Sequence, residues 1–358
     1  MKLQTHTNTT YLPAEWAPQS AVLFSWPHIY DHGSYYWNPD EIARVEMALF
    51  KMVSTIAKSQ PVMINVYNNI VLEHLEDLLS QYHVNQDNVQ IIVNPSNDIW
   101  VRDHGPITVY KEKKAVLLNF KFNGWGEKFP HEDDNAVNNN LHHFDLLKTY
   151  TQEDIHFVLE GGSIESDGLG TLLTTKLCLC NPNRNKITDK AIIFEKLQAA
   201  LGIQRILWLD DGFIEGDNTD SHVDMLARFI NPHTIAYATC DDPTLPHYDS
   251  LLNMEMQLKS FRQISGEPYQ LVPMPLPKIE NASYPGIFIP ATYLNFLITN
   301  HCVFVPQYNH ALDEAMLETL RECFPSRNVL GVDTSTLILQ SGGLHCSTMQ
   351  IPIGQQDA

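Results

Sequence analysis

The chain has 358 residues, 44% hydrophobic and 18% charged, which excludes an intrinsically disordered protein and allows a large core without disulfide staples. Its 42 acidic and 23 basic residues give a formal net charge of −19. That argues against a nucleic-acid partner, because phosphate binders carry basic patches, and it favours solubility and attraction of cationic small molecules. The opening MKLQTHTNTTYLPAEW holds no apolar run of signal-peptide length and no later run reaches transmembrane length, so a cytoplasmic protein with no membrane partner is expected.

In chain order, β-branched apolar runs bounded by Pro, Asn, Asp or Gly predict strands at 21–26, 61–67, 89–93, 115–120, 171–175, 205–209, 234–240, 269–274, 301–306 and 328–332. Helical spacing predicts helices at 39–59, with Ile42, Val45, Leu49, Met52 and Ile56 on one face, and at 69–82, 189–202 and 313–324, Gly202 closing the third. Strand followed by helix, repeated, implies an α/β fold of βαβ units. A strand leading into a helix recurs at 61, 171, 234 and 301, which hints at a repeat of roughly 65 residues. No Ser/Gly linker or charge run divides the chain, so residues 1–358 read as a single domain. The six cysteines are dispersed and disulfides are not expected. Cys178 and Cys180 form a CxC without the further ligands of a zinc site and read as strand residues.

Four segments hold more glycine and polar residues than strands or helices need. In NDIWVRDHGP (97–106), Asp98 and Asp103 bracket Trp100 and Arg102; the plain reading is an Asp-capped turn with Arg102 paired to a carboxylate. In LEGGSIESDGLG (159–170), Glu160 stands at a strand end before two glycines that permit close backbone approach. The plain alternative is a hairpin with a solvated glutamate; the spacing is not that of a nucleotide loop. In GDNTDSHVDMLARF (216–229), His222 and Asp224 are one residue apart and would share a face of an extended chain, as an acid/base with a substrate-binding partner. A helix N-terminus capped by Asp220 or Ser221, a metal-binding HxD and a core histidine compete with that reading. In SGGLHCSTMQIP (341–352), Cys346 is either a small buried hydrophobe or a nucleophile. His345 is not expected to be its base, since strand neighbours face opposite ways.

One thiol, one histidine and three acids (Asp103, Glu160, Asp224) suit a planar cationic electrophile. Carboxylates can grip a guanidinium bidentately and hold its carbon before the sulfur. The thiolate is stabilised by an imidazolium and by the cation. His222 would protonate the departing ammonia and then activate water. This chemistry closes without a metal or a cofactor. A metal-dependent hydrolase with His222 and Asp224 as ligands is the competing class, and a catalytically silent binding protein on the same fold is another.

These blocks, together with LPAEWAPQSAVLFSWPH (12–28), FNGWG (122–126) and CNPNRN (180–185), resemble in content and order the agmatine deiminases, a family of the guanidino-group-modifying superfamily that includes bacterial-type peptidylarginine deiminases. The resemblance implies a five-bladed pseudo-symmetric α/β propeller of ββαβ units, pentein-like, with the site at its centre. It makes Cys346 the nucleophile, His222 the general acid/base, and Asp103 and Asp224 the guanidinium ligands. Glu160 would support both guanidinium and His222, and Trp100 would lie against the substrate. The family's usual Gly-His-Val-Asp-Asn here reads Ser221-His222-Val223-Asp224-Met225, which bears on the far end of the substrate, where Asp217 and Asp220 are candidate ligands for a distal amine. Agmatine, converted to N-carbamoylputrescine, is the expected substrate. Arginine, free or at a peptide terminus, is the alternative that Arg102, Arg184 and Arg228 keep open. A homo-oligomer is compatible with the sequence.

Overall fold

The computed structural model describes residues 10–28, 37–281 and 286–354, and its strands fall into five sheets. All five share one pattern: a strand pairs antiparallel with a second, the chain leaves through a helical segment, and a third strand returns parallel to the second. The second strands are Gln19–Ser25, Lys114–Lys121, Thr171–Thr175, Thr234–Thr239 and Cys302–Gln307. Their parallel partners are Val62–Val66, Thr151–Val158, Arg205–Leu209, Gln270–Pro275 and Asn328–Asp333. The first strands are Ile107–Lys111, Ile164–Ser166, Ala227–Asn231 and Leu297–Ile298 for the later four units. For Gln19–Ser25 that place is taken by Thr348–Pro352 from the other end of the chain, with Leu23 opposite Met349. The unit that Gln19–Ser25 begins is therefore completed by the last described strand.

Local chemistry explains the elements. Helix Pro39–Ile56 starts with a capping box: the Asn38 side chain accepts from the backbone N–H groups of Asp40 and Glu41, and Glu41 accepts from that of Asn38 at 2.9 Å. Its Val45, Leu49, Met52, Val53 and Ile56 are buried against the strands, while Ile42 is only partly covered. Helix Lys190–Leu201 ends at Gly202, whose φ of 70° is left-handed and whose missing Cβ lets the Thr10 carbonyl pack against it.

The ten strands and four helices read from the sequence are present within one or two residues at most ends. Five first strands, strand Thr151–Val158 and helix Tyr248–Ser260 were not foreseen. Ile164–Ser166 and Leu297–Ile298 are only three and two residues long, too short for alternation to show, while Ile107–Lys111, Ala227–Asn231 and Thr348–Pro352 have five residues each but follow directly on the polar motif segments, whose turn chemistry masks where the strand begins. Cys178 and Cys180 require a correction. Cys178 lies in the short helix Lys176–Leu179, where the Thr175 hydroxyl caps its N–H, and Cys180 follows the helix. The turn wins because Thr175 supplies the N-cap a strand would not use. All six cysteines are unpaired. Among the described residues no helix is long and apolar enough to cross a membrane.

Candidate active site

Each first strand is preceded by a bend that places one or two side chains in a common site. Asp103 sits on the turn Val101–His104 before Ile107, and Glu160 leads into the turn Gly161–Ser163 before Ile164. His222 and Asp224 flank Val223 in the turn before Ala227, Asn295 lies just before Leu297, and Cys346 occupies the turn before Thr348. His222 and Asp224 share the site through a tight turn rather than through the alternation of an extended strand.

A cavity of about 220 Å³ opens on Cys346 and is lined by Asp98, Trp100, Asp103, Trp125, Phe129, Asn218, Thr219 and the 339–342 turn. The Cys346 thiol faces Asp224 Oδ2 at 3.7 Å. The Asn295 amide donates to both, at 3.2 Å to the sulfur and 3.1 Å to the carboxylate. Asp103 accepts from Trp125 Nε1 and from the Gly162 N–H, both at 2.9 Å, and its Oδ1 lies 3.6 Å from His222 Nδ1. Trp125 needs a left-handed backbone (φ 57°) between two glycines in the same region, which is the reason for the GWG spacing.

Glycines make these approaches feasible. A Cβ on Gly162 would lie 2.7 Å from His222 Nδ1, 2.8 Å from Asp103 Oδ1 and 3.0 Å from Asp224 Oδ2. A Cβ on Gly342 would overlap the Trp100 ring, and one on Gly343 would meet Asn295 Oδ1 at 2.5 Å. The glycine pair before Cys346 thus admits an aromatic wall on one side and the amide that orients the thiol on the other.

All five candidate groups are buried. Burial raises the Cys346 pKa well above that of a free thiol, and the charges of Asp224 and Asp103 add to the effect. Burial also pushes the Asp103 carboxyl up, reinforced by Asp224 and Glu160 and opposed by His222. For His222, burial favours the neutral ring, but the Asp103 charge, then Cys178 and Glu160, outweigh it and push the pKa up to about 10. Burial opposes ionisation of Asp224 too, yet the His345 hydrogen bond and the charges of His345 and His222 hold it below the usual range.

Glu160 is bonded by Arg184, whose Nε lies 3.0 Å from Oε1. Arg184 also binds the Thr219 carbonyl and Asp220, so it ties the 219–220 turn to Glu160. Asp217 and Asp220 are placed outside the cavity lining. Asp217 caps its own turn through Thr219 and Ser221, and Asp220 is neutralised by Arg184 and by Lys128 at 2.8 Å. Arg102 and Arg228 are likewise committed, both to Glu15, with Arg228 also on Glu165. No Lys or Arg lines the cavity among the described residues. Of the three His/Cys/Asp/Glu clusters with metal-ligand spacing among the described residues, one joins His222 to Glu160 and Cys178 and none includes Asp224, whose Oδ2 is engaged by His345 and Asn295.

Sequence reading missed Asn295, Trp125, Arg184, Glu15 and His345 as members of this assembly. Asn295 interrupts the apolar run LNFLI and Trp125 stands in GWG, and both patterns are signals that a residue is wanted for more than packing.

A mixed α/β fold with a buried thiol, an imidazole and several carboxylates clustered beneath one cavity fits one class: hydrolases acting on the carbon–nitrogen bonds of guanidino compounds. The model of Porphyromonas-type peptidyl-arginine deiminases matches residues 11–352, and the chain belongs to that family. It is 32% identical to the agmatine deiminase of Pseudomonas fluorescens (strain SBW25), over 96% of this chain and 95% of that one. A C. jejuni agmatine deiminase, solved as a cysteine-to-serine variant with substrate bound, superposes with a TM-score of 0.87 at 33% identity, covering 99% of this chain and 100% of that one. A Porphyromonas gingivalis protein assigned provisionally as an arginine deiminase superposes with a TM-score of 0.85 at 38% identity, covering 97% and 99%.

Proposed function

We propose that the chain hydrolyses agmatine to N-carbamoylputrescine and ammonia, as a single deiminase domain whose five ββαβ units meet at the site in propeller fashion. The observation that carries the reading is the clustering of four groups at the floor of one cavity: Cys346 and Asp103 line it, Asp224 lies behind the Cys346 thiol at 3.7 Å and His222 behind Asp103 at 3.6 Å, and the described lining holds no cation. Burial, and then the two carboxylates beside it, raise the thiol pKa in the free enzyme; a guanidinium bound between the carboxylates reverses the sign of the local field and favours the thiolate.

In this reading Asp103 and Asp224 grip the guanidinium, and Trp100 packs along the substrate. The Cys346 sulfur adds to the central carbon to give a tetrahedral adduct. The imidazolium of His222 gives its proton to the nitrogen that leaves as ammonia, forming a covalent amidino-cysteine. His222, now neutral, takes a proton from water as its oxygen adds to that carbon. The C–S bond then breaks with the electron pair returning to sulfur as thiolate, the hydroxyl proton of the adduct passes to solvent and so to the released ammonia, and the neutral ureido product departs. Glu160, fixed by Arg184, supports His222 from below.

Agmatine is favoured over arginine because an α-carboxylate calls for a cationic partner, and Arg102, Arg184 and Arg228 are all consumed in internal ion pairs. The test is to incubate the purified protein with agmatine, free arginine and a short arginyl peptide and to measure ammonia and ureido product. Release from arginine or the peptide but not from agmatine overturns the substrate assignment; release from none overturns the activity.

A further inference from the structure

His345, next to the nucleophile, is not used by the chemistry above. Its ring is completely buried. Nδ1 lies 2.7 Å from Asp224 Oδ2 and Nε2 lies 2.6 Å from Glu15 Oε1. An ionised carboxylate only accepts, so with Asp224 and Glu15 both ionised the two contacts are satisfied together only by a ring that donates from both nitrogens, the doubly protonated form. Glu15 is held in turn by Arg228, Arg102 and the Gln350 amide, the last at 3.2 Å. The backbone N–H of His345 donates to Asn295 Oδ1 at 3.0 Å, so the same residue also aims the amide that reaches the thiol.

We infer that His345 is a positioning residue for guanidinium binding: clamped as an imidazolium between Glu15 and Asp224, it keeps Asp224 ionised and leaves Asp224 Oδ1 free to accept from the substrate. Oδ2 of Asp224 is occupied by His345 and Asn295, whereas Oδ1 is buried with no protein partner among the described residues. The groups that set the charge of Asp224 are His345, His222 and Arg228 on the favourable side, with Asp103 and Cys346 close by. Those facing His345 are Asp224, Glu15 and Glu165. Burial alone would favour a protonated Asp224, and the His345 hydrogen bond is the first of the contacts that oppose it. Glu15 shows the same balance: burial raises its pKa, and Arg228, His345 and Arg102 bring it well below the ordinary value. A cation is thereby stored behind the site, where it stabilises the carboxylate without competing for the face that meets the substrate.

The inference rests on the guanidino reading of the site, and the experiment separates the two. Binding of methylguanidine and of agmatine is measured calorimetrically from pH 8 down to about pH 3, where carboxylates titrate, on the Cys346→Ala protein, which cannot turn over, and on the same protein carrying His345→Gln. Expected is an acid-side loss of affinity whose midpoint moves up by about 1–3 pH units in His345→Gln, the shift produced when an opposite charge at contact distance is removed. Glu15→Gln, which keeps an acceptor for Nε2 but not its charge, moves the midpoint in the same direction and carries the test if His345→Gln does not fold. An equal loss of affinity at every pH with an unmoved midpoint gives His345 a packing role and overturns the inference. A Cys346→Ala parent that binds neither compound at any pH removes the guanidino reading, and the positioning role with it.

Discussion

The Cys346 thiol and the Asp224 carboxylate share one amide donor, the Asn295 side chain, which reaches both while the thiol itself points at Asp224 from 3.7 Å. The proposed nucleophile and the proposed guanidinium ligand are thus tied to one donor and already in contact in the substrate-free structure. Cys346→Ala should therefore lower turnover of agmatine by at least about 10³-fold while leaving substrate binding measurable, since removal of a nucleophile abolishes the chemical step and not the clasp. Single-turnover ammonia release and calorimetric binding on the same preparation check the two halves.

Asp103→Asn preserves shape and removes the charge that opposes the burial of His222. With that charge gone, burial dominates and the His222 pKa falls from about 10. The alkaline limb of kcat/KM, which reports loss of the His222 proton, should move to lower pH by a unit or more. The stability counterpart has a definite sign. A histidine whose folded pKa exceeds its unfolded value of 6.5 contributes stability fully present below 6.5 and lost as pH rises towards 10. Denaturant melts of the two proteins across that window should converge as pH increases.

Gly162→Ala introduces one methyl group among three site residues at 2.7 to 3.0 Å. His222, Asp103 and Asp224 must each give way, and displacements of this order cost about 10²-fold in kcat/KM. Steady-state kinetics on a variant whose circular dichroism matches that of the parent checks this.

Arg184→Ala leaves Glu160 buried without its cation and frees the 219–220 turn. Breaking a buried pair from one side costs about 3–5 kcal/mol, so a clear fall in the urea midpoint is expected, with turnover lost alongside. Glu160→Gln in the Arg184→Ala background should recover part of the stability but not the activity.

A chelator should leave turnover unchanged after prolonged dialysis, because the proposed steps route every proton and charge through side chains. Restoration of lost activity by a divalent metal would instead favour the hydrolase reading that uses His222 and Asp224 as ligands.

Legibility in the sequence followed the physics of each residue. Asp103, Glu160, His222 and Cys346 stand beside glycines or in turn-forming clusters, where composition departs from what strand and helix require. His345 was set aside on the rule that strand neighbours face apart, but residues 344–347 form a turn, so the rule did not apply. Glu15 lies in an ordinary coil, and only tertiary structure brings it to His345. The arginines looked available for a substrate carboxylate because their partners are far away in sequence: Arg228 meets Glu15 and Glu165, and Arg184 meets Asp220. The repeat was visible as strand–helix alternation, while the leading strands that make it fivefold were hidden, two by having three residues or fewer and three by running straight on from polar turn segments.

The pairing of Thr348–Pro352 with Gln19–Ser25 has a consequence for how the thiol is held in place. Contacts between segments this distant carry the largest loop-closure cost. The sulfur at 346 sits in the turn that opens this seam, so its placement depends on the two far ends of the described chain being joined, and loosening that join would unseat the thiol without touching the site itself.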